Sequence, residues 1–169
     1  MNTEDDPQID VGEFRRALGC FATGVAVVTT LDARGEPVGI TVSSFNSVSM
    51  DPPLVLWSIA DDAMSYDVFM NAKYFAVNVL SIDQQELSAI FASRGTNKFD
   101  GLGCREGLHG LPIFPKYAAC FECRTEHRYA GGDHKIIVGR VLRLEGTDVE
   151  PLIFYQGHFH KKGAPSTGE

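Results

Sequence analysis

Apolar residues recur along this chain at two different periods. Val11, Phe14, Leu18 and Phe21 fall at i, i+3, i+7 and i+10, one face of a helix. Asp10 with Glu13 three residues on makes a capping-box pattern that opens this helix, and Gly24 is placed to end it. The period then shortens. The β-branched run Val25 to Leu31, the turn Asp32-Ala33-Arg34-Gly35 and the segment Pro37 to Ser44 predict a hairpin. Leu54 to Ala60 predicts a third strand, with Pro52 and Pro53 ahead of it because neither can donate to a ladder. Tyr66, Phe69 and Met70 predict a short helix over 63–72, and Tyr74 to Leu80 a further strand. Ser81 with Gln84 opens a helix over about 82–92 whose apolar face is Leu87, Ile90 and Phe91.

Seven glycines and prolines punctuate residues 93 to 116: Gly95, Gly101, Gly103, Gly107, Gly110, Pro112 and Pro115. A segment this long without its own periodicity is more often functional than idle, and it is expected to wall a site. Strands return at Tyr117 to Tyr129, Lys135 to Glu145 and Leu152 to Phe159, the first two joined by the turn Ala130-Gly131-Gly132-Asp133. Strands outnumber helices and follow one another as hairpins, without crossover helices. That order predicts a mainly β fold, an antiparallel barrel with a few peripheral helices.

Composition narrows the function. The 169 residues fit one domain, expected over 10–160 with flexible termini at 1–9 and 161–169. A formal net charge of -7 argues against nucleic acid as a partner. The acidic N-terminus and the lack of a long apolar run argue against a signal peptide or membrane span, so a soluble cytoplasmic protein is expected. Four scattered cysteines predict reduced thiols. Cys120 and Cys123 form a C-x-x-C within a strand pattern, where alternation sends them to opposite faces and away from a shared metal. His158 and His160 share a strand face without an evident third ligand, and no metal site is expected.

Two fragments could carry chemistry. Thr41, Ser43, Ser44, Ser47 and Ser49 place five hydroxyls in nine residues, either a neutral cradle for a phosphate or a solvent-facing polar edge. Gly131-Gly132-Asp133-His134 is either a hairpin turn or a site with a titratable planar group. Neither a G-x-S-x-G elbow nor a G-x-G-x-x-G between strand and helix occurs, so hydrolase and Rossmann readings gain no support.

Read in order, the fragments resemble the flavin reductase family, the short-chain reductase components of two-component flavin monooxygenases. The resemblance rests on Phe14-Arg15, Thr23 to Thr30, Gly39 to Phe45, Ser47 to Val55, Phe75 to Leu80, Lys98-Phe99, Gly132-Asp133-His134 and Pro151 to Gly157. It implies a split β-barrel of Greek-key type that forms a homodimer, with FMN or FAD at the subunit interface and NADH or NADPH as hydride donor. By resemblance, Pro37, Val38, Gly39, Ile40, Thr41, Ser43 and Ser44 meet the flavin, Ser58, Ile59 and Ala60 line its ring, and Met64 and Ser65 close on the phosphate side. Phe91, Lys98 and Tyr155 complete the pocket, and Asp133 and His134 form the catalytic motif, the histidine contacting the nicotinamide. Asn97 stands where many relatives carry an acidic residue, and Trp57 is bulkier than expected beside Ser58. The implied activity is flavin reduction for a partner monooxygenase. The alternatives are a flavin-binding sensor with slow turnover and a relay to a non-flavin acceptor such as a corrin.

Overall fold

The computed structural model describes residues 7–95, 97–161 and 163. Helix α1 (Val11–Gly19) leads into β1 (Thr23–Gly24), β2 (Ala26–Leu31), β3 (Pro37–Val42), β4 (Asn46–Ser49) and β5 (Leu54–Ala60). Then come α2 (Tyr66–Asn71), β6 (Tyr74–Val79), α3 (Gln85–Ala92), β7 (Arg105–Glu106) and β8 (Pro112–Ile113). The long hairpin β9 (Ala119–Gly131) and β10 (His134–Gly146) precedes β11 (Ile153–Tyr155) and β12 (His158–His160).

Seven strands form one sheet in the order β3-β2-β6-β9-β10-β5-β4, every neighbouring pair antiparallel. The mainly β, antiparallel architecture is the expected one; among the described residues no ladder joins β3 to β4, so the sheet is not closed into a barrel. One side chain spans the gap beside β3. Ser44 Oγ accepts from the Ser58 backbone N–H at 2.9 Å and donates to the Ser58 carbonyl at 3.3 Å.

Burial explains the strand patterns. In β2 the first five residues are all buried, and the two threonines among them donate their hydroxyls to the carbonyls of Pro112 and Tyr74 at 2.6 and 2.8 Å. In β5 burial alternates, with Val55, Trp57 and Ile59 turned inward and Leu54, Leu56, Ser58 and Ala60 only half-buried. Trp57 therefore faces away from Ser58, as alternation requires, and packs edge-on against Phe69 and Phe75 at 4.9 and 5.9 Å between centroids. Cys120 and Cys123 likewise join different core clusters. Burial, reinforced by the Glu122 charge, pushes the Cys120 thiol up to about 12, and burial together with Cys120 pushes that of Cys123 higher still. Neither is a thiolate near neutral pH.

Several expected boundaries move. α1 stops at Gly19, and Gly24 belongs to β1, which pairs with β11. α2 begins at Tyr66 and α3 at Gln85, later than the periodicity alone suggests. β4 is an unexpected edge strand, and the predicted last strand is two strands folded about Gln156 and Gly157, whose φ values are 48° and 80°. The 93–116 insert is only partly a wall. Leu111, Ile113 and Phe114 are core residues, 0–2% exposed. Of the termini expected to be flexible, residues 1–6, 162 and 164–169 lie outside the described residues.

Candidate functional site

A cleft of about 740 Å³ opens between three pieces of chain: the β2–β3 hairpin, the loop leading into α2, and the segment that follows α3. It is within the usual size of ligand sites, roughly 300–1,000 Å³. Eight of the candidate residues line it, namely Pro37, Val38, Gly39, Ile40, Met64, Ser65, Phe91 and Lys98.

Its construction follows from a few local choices. Phe91, on the inner face of α3, is 1% exposed and lies against Gly39 of β3. A β-carbon on Gly39 would stand 2.7 Å from the Phe91 ring and 3.2 Å from that of Phe99. Glycine is what lets helix and strand approach here. Phe91, Phe99 and Phe114 then form an aromatic group with centroids 4.9–6.3 Å apart. Lys98 folds back on the helix, donating to the carbonyls of Ser93 at 2.6 Å and Phe91 at 3.3 Å. It thereby satisfies carbonyls that the end of α3 leaves open, where a cation is also favoured by the helix dipole. Two of its three donors are so used. Burial pulls its pKa below the ordinary lysine value. Asn97, the departure from the family pattern, has φ 61°, a left-handed conformation that asparagine tolerates better than most residues.

The remaining candidates lie outside the cleft lining. Thr41 Oγ1 donates to the Ser88 carbonyl of α3 at 2.7 Å, and Ser44 is occupied at the gap between β3 and β5. Ser43, which precedes Ser44, is exposed. Ser58 and Ala60 lie on the half-buried face of β5, whereas the side chain of Ile59 is 1% exposed in the core and leaves only its backbone for a ligand. Asp133 and His134 occupy the tight turn between β9 and β10, with Gly132 at φ 73°. His134 pairs in register with Ala60, and the Asp61 N–H donates to the Asp133 carbonyl at 2.9 Å, so this turn is fixed beside the loop that enters the cleft. His134 Nδ1 lies 2.7 Å from Asp133 Oδ1, and that contact holds the exposed Asp133 carboxyl below its usual range. Tyr155 is in the separate β1-β11-β12 sheet, edge-on to His160 at 5.7 Å. The structure does not bring it to the cleft within one chain.

Sequence reading missed Arg34, Glu36, Asp62 and Arg94, all lining residues. Arg34 was visible only as part of a turn, and nothing in the sequence reveals that this turn leans over a cleft. Among the described residues no group of His, Cys, Asp and Glu is placed to hold a metal ion, and no helix is long and apolar enough to cross a membrane.

Known proteins share both sequence and geometry. The chain is 49% identical over 146 residues to the FMN reductase (NADH) SmoA of Agrobacterium fabrum, covering 86% of this chain and 83% of that one. It is 36% identical to the reductase component of the flavin-dependent trigonelline monooxygenase of Acinetobacter baylyi, over 98% of this chain but only 53% of that longer protein. Its fold superposes with a TM-score of 0.87 on the NADH:FAD oxidoreductase SgcE6 of Streptomyces globisporus, solved with NAD and FAD fragments, at 35% identity over 94% of this chain and 96% of that one. The model of the flavin reductase like domain matches residues 18–163. The chain belongs to the flavin reductase like domain family.

Proposed function

We propose that this chain is an NAD(P)H-dependent flavin reductase and that the cleft beside β3 binds its flavin. One observation carries the reading: Pro37 to Ile40, Met64, Ser65, Phe91 and Lys98, distant in sequence, line a single cleft. These residues fit a flavin. Gly39 lets Phe91 form the cleft's apolar wall, the third Lys98 donor and the Ser65 hydroxyl suit a phosphate, and the half-buried Ser58 and Ala60 face suits a flat ring. A bound flavin supplies hydride acceptance at its ring, and the nicotinamide supplies the hydride. The protein's own work is positioning. The turn at Gly132-Asp133 fixes His134 next to the end of β5, and its Asp133 contact fixes the ring's orientation for a nicotinamide carboxamide. Ser44 holds β3 to β5 through Ser58, which keeps the two ring-lining strands in register.

The reading includes a homodimer of split-barrel subunits that shares the flavin site, works in the cytoplasm and supplies reduced flavin to a monooxygenase. Ile9, Val11, Phe14, Leu18 and Phe21 support the dimer: they are large apolar side chains 53–71% exposed, the kind of surface a partner covers. The four free thiols support a reducing compartment. Oxidation of NADH with free FMN in excess tests the activity. His134→Ala is expected to slow flavin reduction about 10- to 100-fold, with flavin affinity nearly unchanged. Stopped-flow reduction at the wild-type rate, or an equal loss of flavin affinity, would return Asp133-His134 to a plain hairpin turn.

A further inference from the structure

The stretch Asp62-Ala63-Met64-Ser65 lines one side of the cleft and leads into α2. Its own bonds are few. Ser65 is the N-cap residue of α2 but makes no cap bond with its side chain. The Ala63 N–H donates to the Ala60 carbonyl at 3.1 Å and the Tyr66 N–H to that of Ala63 at 2.9 Å, two turns that set the shape of the stretch. Ala63 and Tyr66 rest against the main core, whereas Met64 is 69% exposed. Where the stretch stands relative to the sheet depends on what reaches it from outside.

The β9–β10 hairpin reaches it with two cations. Lys135 Nζ donates to both carboxylate oxygens of Asp61, at 2.9 and 3.1 Å, and stands 6.0 Å from the ring centroid of Tyr66, within cation–π range. Asp61 and Tyr66 are the residues that bracket the cleft-lining stretch, so one ammonium grips both of its ends. The Lys135 side chain is 26% exposed, which shields the pair from much of the solvent competition that leaves surface ion pairs worth little. The hydrogen bond from Asp61 raises the Lys135 pKa above its ordinary value, and the ammonium stays charged through the neutral range. At the far end of α2, Arg128 donates to the carbonyls of Phe69 at 3.3 Å and Ala72 at 2.5 Å, and the Thr125 hydroxyl donates to the same Ala72 carbonyl at 2.9 Å. Arg128 pairs in register with Ile137, two residues from Lys135, so both cations lie on one face of the hairpin.

The other face carries His134. It precedes Lys135 on β10, and alternation turns the two side chains apart. We propose that Lys135 is a positioning residue for flavin reduction: by gripping Asp61 and Tyr66 it fixes the Met64–Ser65 wall of the cleft against the strand that begins with His134. The inference rests on the flavin reading above. A flavin seated against Met64 and Ser65 then stands at a set distance from the His134 ring, and a misplacement of about 1 Å between the two is costly to hydride transfer. Lys135 acts through Asp61 and Tyr66, to which its ammonium is committed.

The variants that test this are Lys135→Met, Lys135→Arg, Asp61→Asn and the double substitution of Lys135→Met with Asp61→Asn. In each, the FMN dissociation constant is measured by fluorescence quenching, and reduction of the FMN-saturated protein by saturating NADH is followed by stopped flow, with the melting temperature as a check on the fold. Lys135→Met and Asp61→Asn should each weaken FMN binding and slow reduction about five-fold, and the double variant should lose no more, because both break the same pair. Lys135→Arg should restore both quantities to within about two-fold of the wild type, since a guanidinium also pairs with a carboxylate. Unchanged affinity and rate with only the melting temperature lowered, losses that add in the double variant, or no recovery in Lys135→Arg would overturn the proposal. Weakened affinity at an unchanged reduction rate would overturn the link to His134. A wild type that binds neither FMN nor FAD would overturn the flavin reading and this inference with it, whereas variants that match a flavin-binding wild type overturn the inference alone.

Discussion

α1 and α3 look alike as sequences and have opposite fates. Both are short, both open on a capping pattern, and both carry apolar residues at helical spacing. α3 buries most of its predicted apolar face: Phe91 is 1% exposed and Leu87 packs against the same cluster as Val25, Leu80 and Phe114, while Ile90, expected on that face, is 40% exposed. α1 buries nothing. Its Asp10 cap is formed, the carboxylate accepting from the Glu13 N–H at 2.8 Å, and its end is tied down by the Gln156 N–H donating to the Gly19 carbonyl at 3.0 Å. Periodicity therefore reports that a helix has an apolar face; what covers that face is a separate fact. For α3 the cover is β3, where a glycine lets the helix approach, and for α1 the described residues supply none.

The largest effect should come from breaking the covered helix. Phe91→Ala removes a fully buried ring from between Gly39, Phe99 and Phe114, and Phe→Ala changes in cores cost about 3–5 kcal/mol. Urea unfolding should show a loss of that size together with weakened flavin binding. A loss under about 1 kcal/mol would mean that the α3 contact is as dispensable within the chain as that of α1. The paired substitution Phe14→Asp with Leu18→Asp breaks the other side of the comparison. It leaves no cavity in the chain, so far-ultraviolet dichroism should persist while light scattering shifts to the 18.5 kDa monomer. A protein that is already monomeric before substitution would remove the dimer from the proposed function.

The same contrast shows what was legible. The strand segments, the alternation in β5 and the opposed C-x-x-C thiols were readable because each depends on a period of two within a continuous segment; the sheet order, which sets β6 beside β2 and β5 beside β10, departs from the simple succession of hairpins expected. The Asp10 cap was readable because it spans three residues. What the sequence hid depends on distance: Thr41 donating to the Ser88 carbonyl of α3, Ser44 spanning to Ser58 across the gap, and Arg34 lining a cleft with residues of α2 and the segment after α3. The family resemblance named Gly39 and Phe91 as neighbours of a flavin, and the structure supplies the physical reason that they occur together. The 93–116 insert divides accordingly. Its first part lines the cleft, and Leu111 to Phe114 were unreadable as core because no periodic pattern surrounds them.

The smallest expected effect distinguishes a helix that matters to its own fold from one that matters to a partner. Asp10→Ala removes the α1 cap, a change worth about 1 kcal/mol of local helix stability. Because no residue of α1 is buried, fraying of this helix exposes no core, and the global unfolding free energy of the isolated chain should move by less than about 0.5 kcal/mol. Amide exchange within Val11–Gly19 should nevertheless accelerate about five-fold, the factor that corresponds to the lost cap. If a second copy covers the apolar face, the free energy reappears in association; both chains lose a cap, so the dimer should dissociate at up to about thirty-fold higher concentration. Global stability falling by the full cap value with no change in association would show that α1 is already packed on its own chain, and the contrast with α3 would fail.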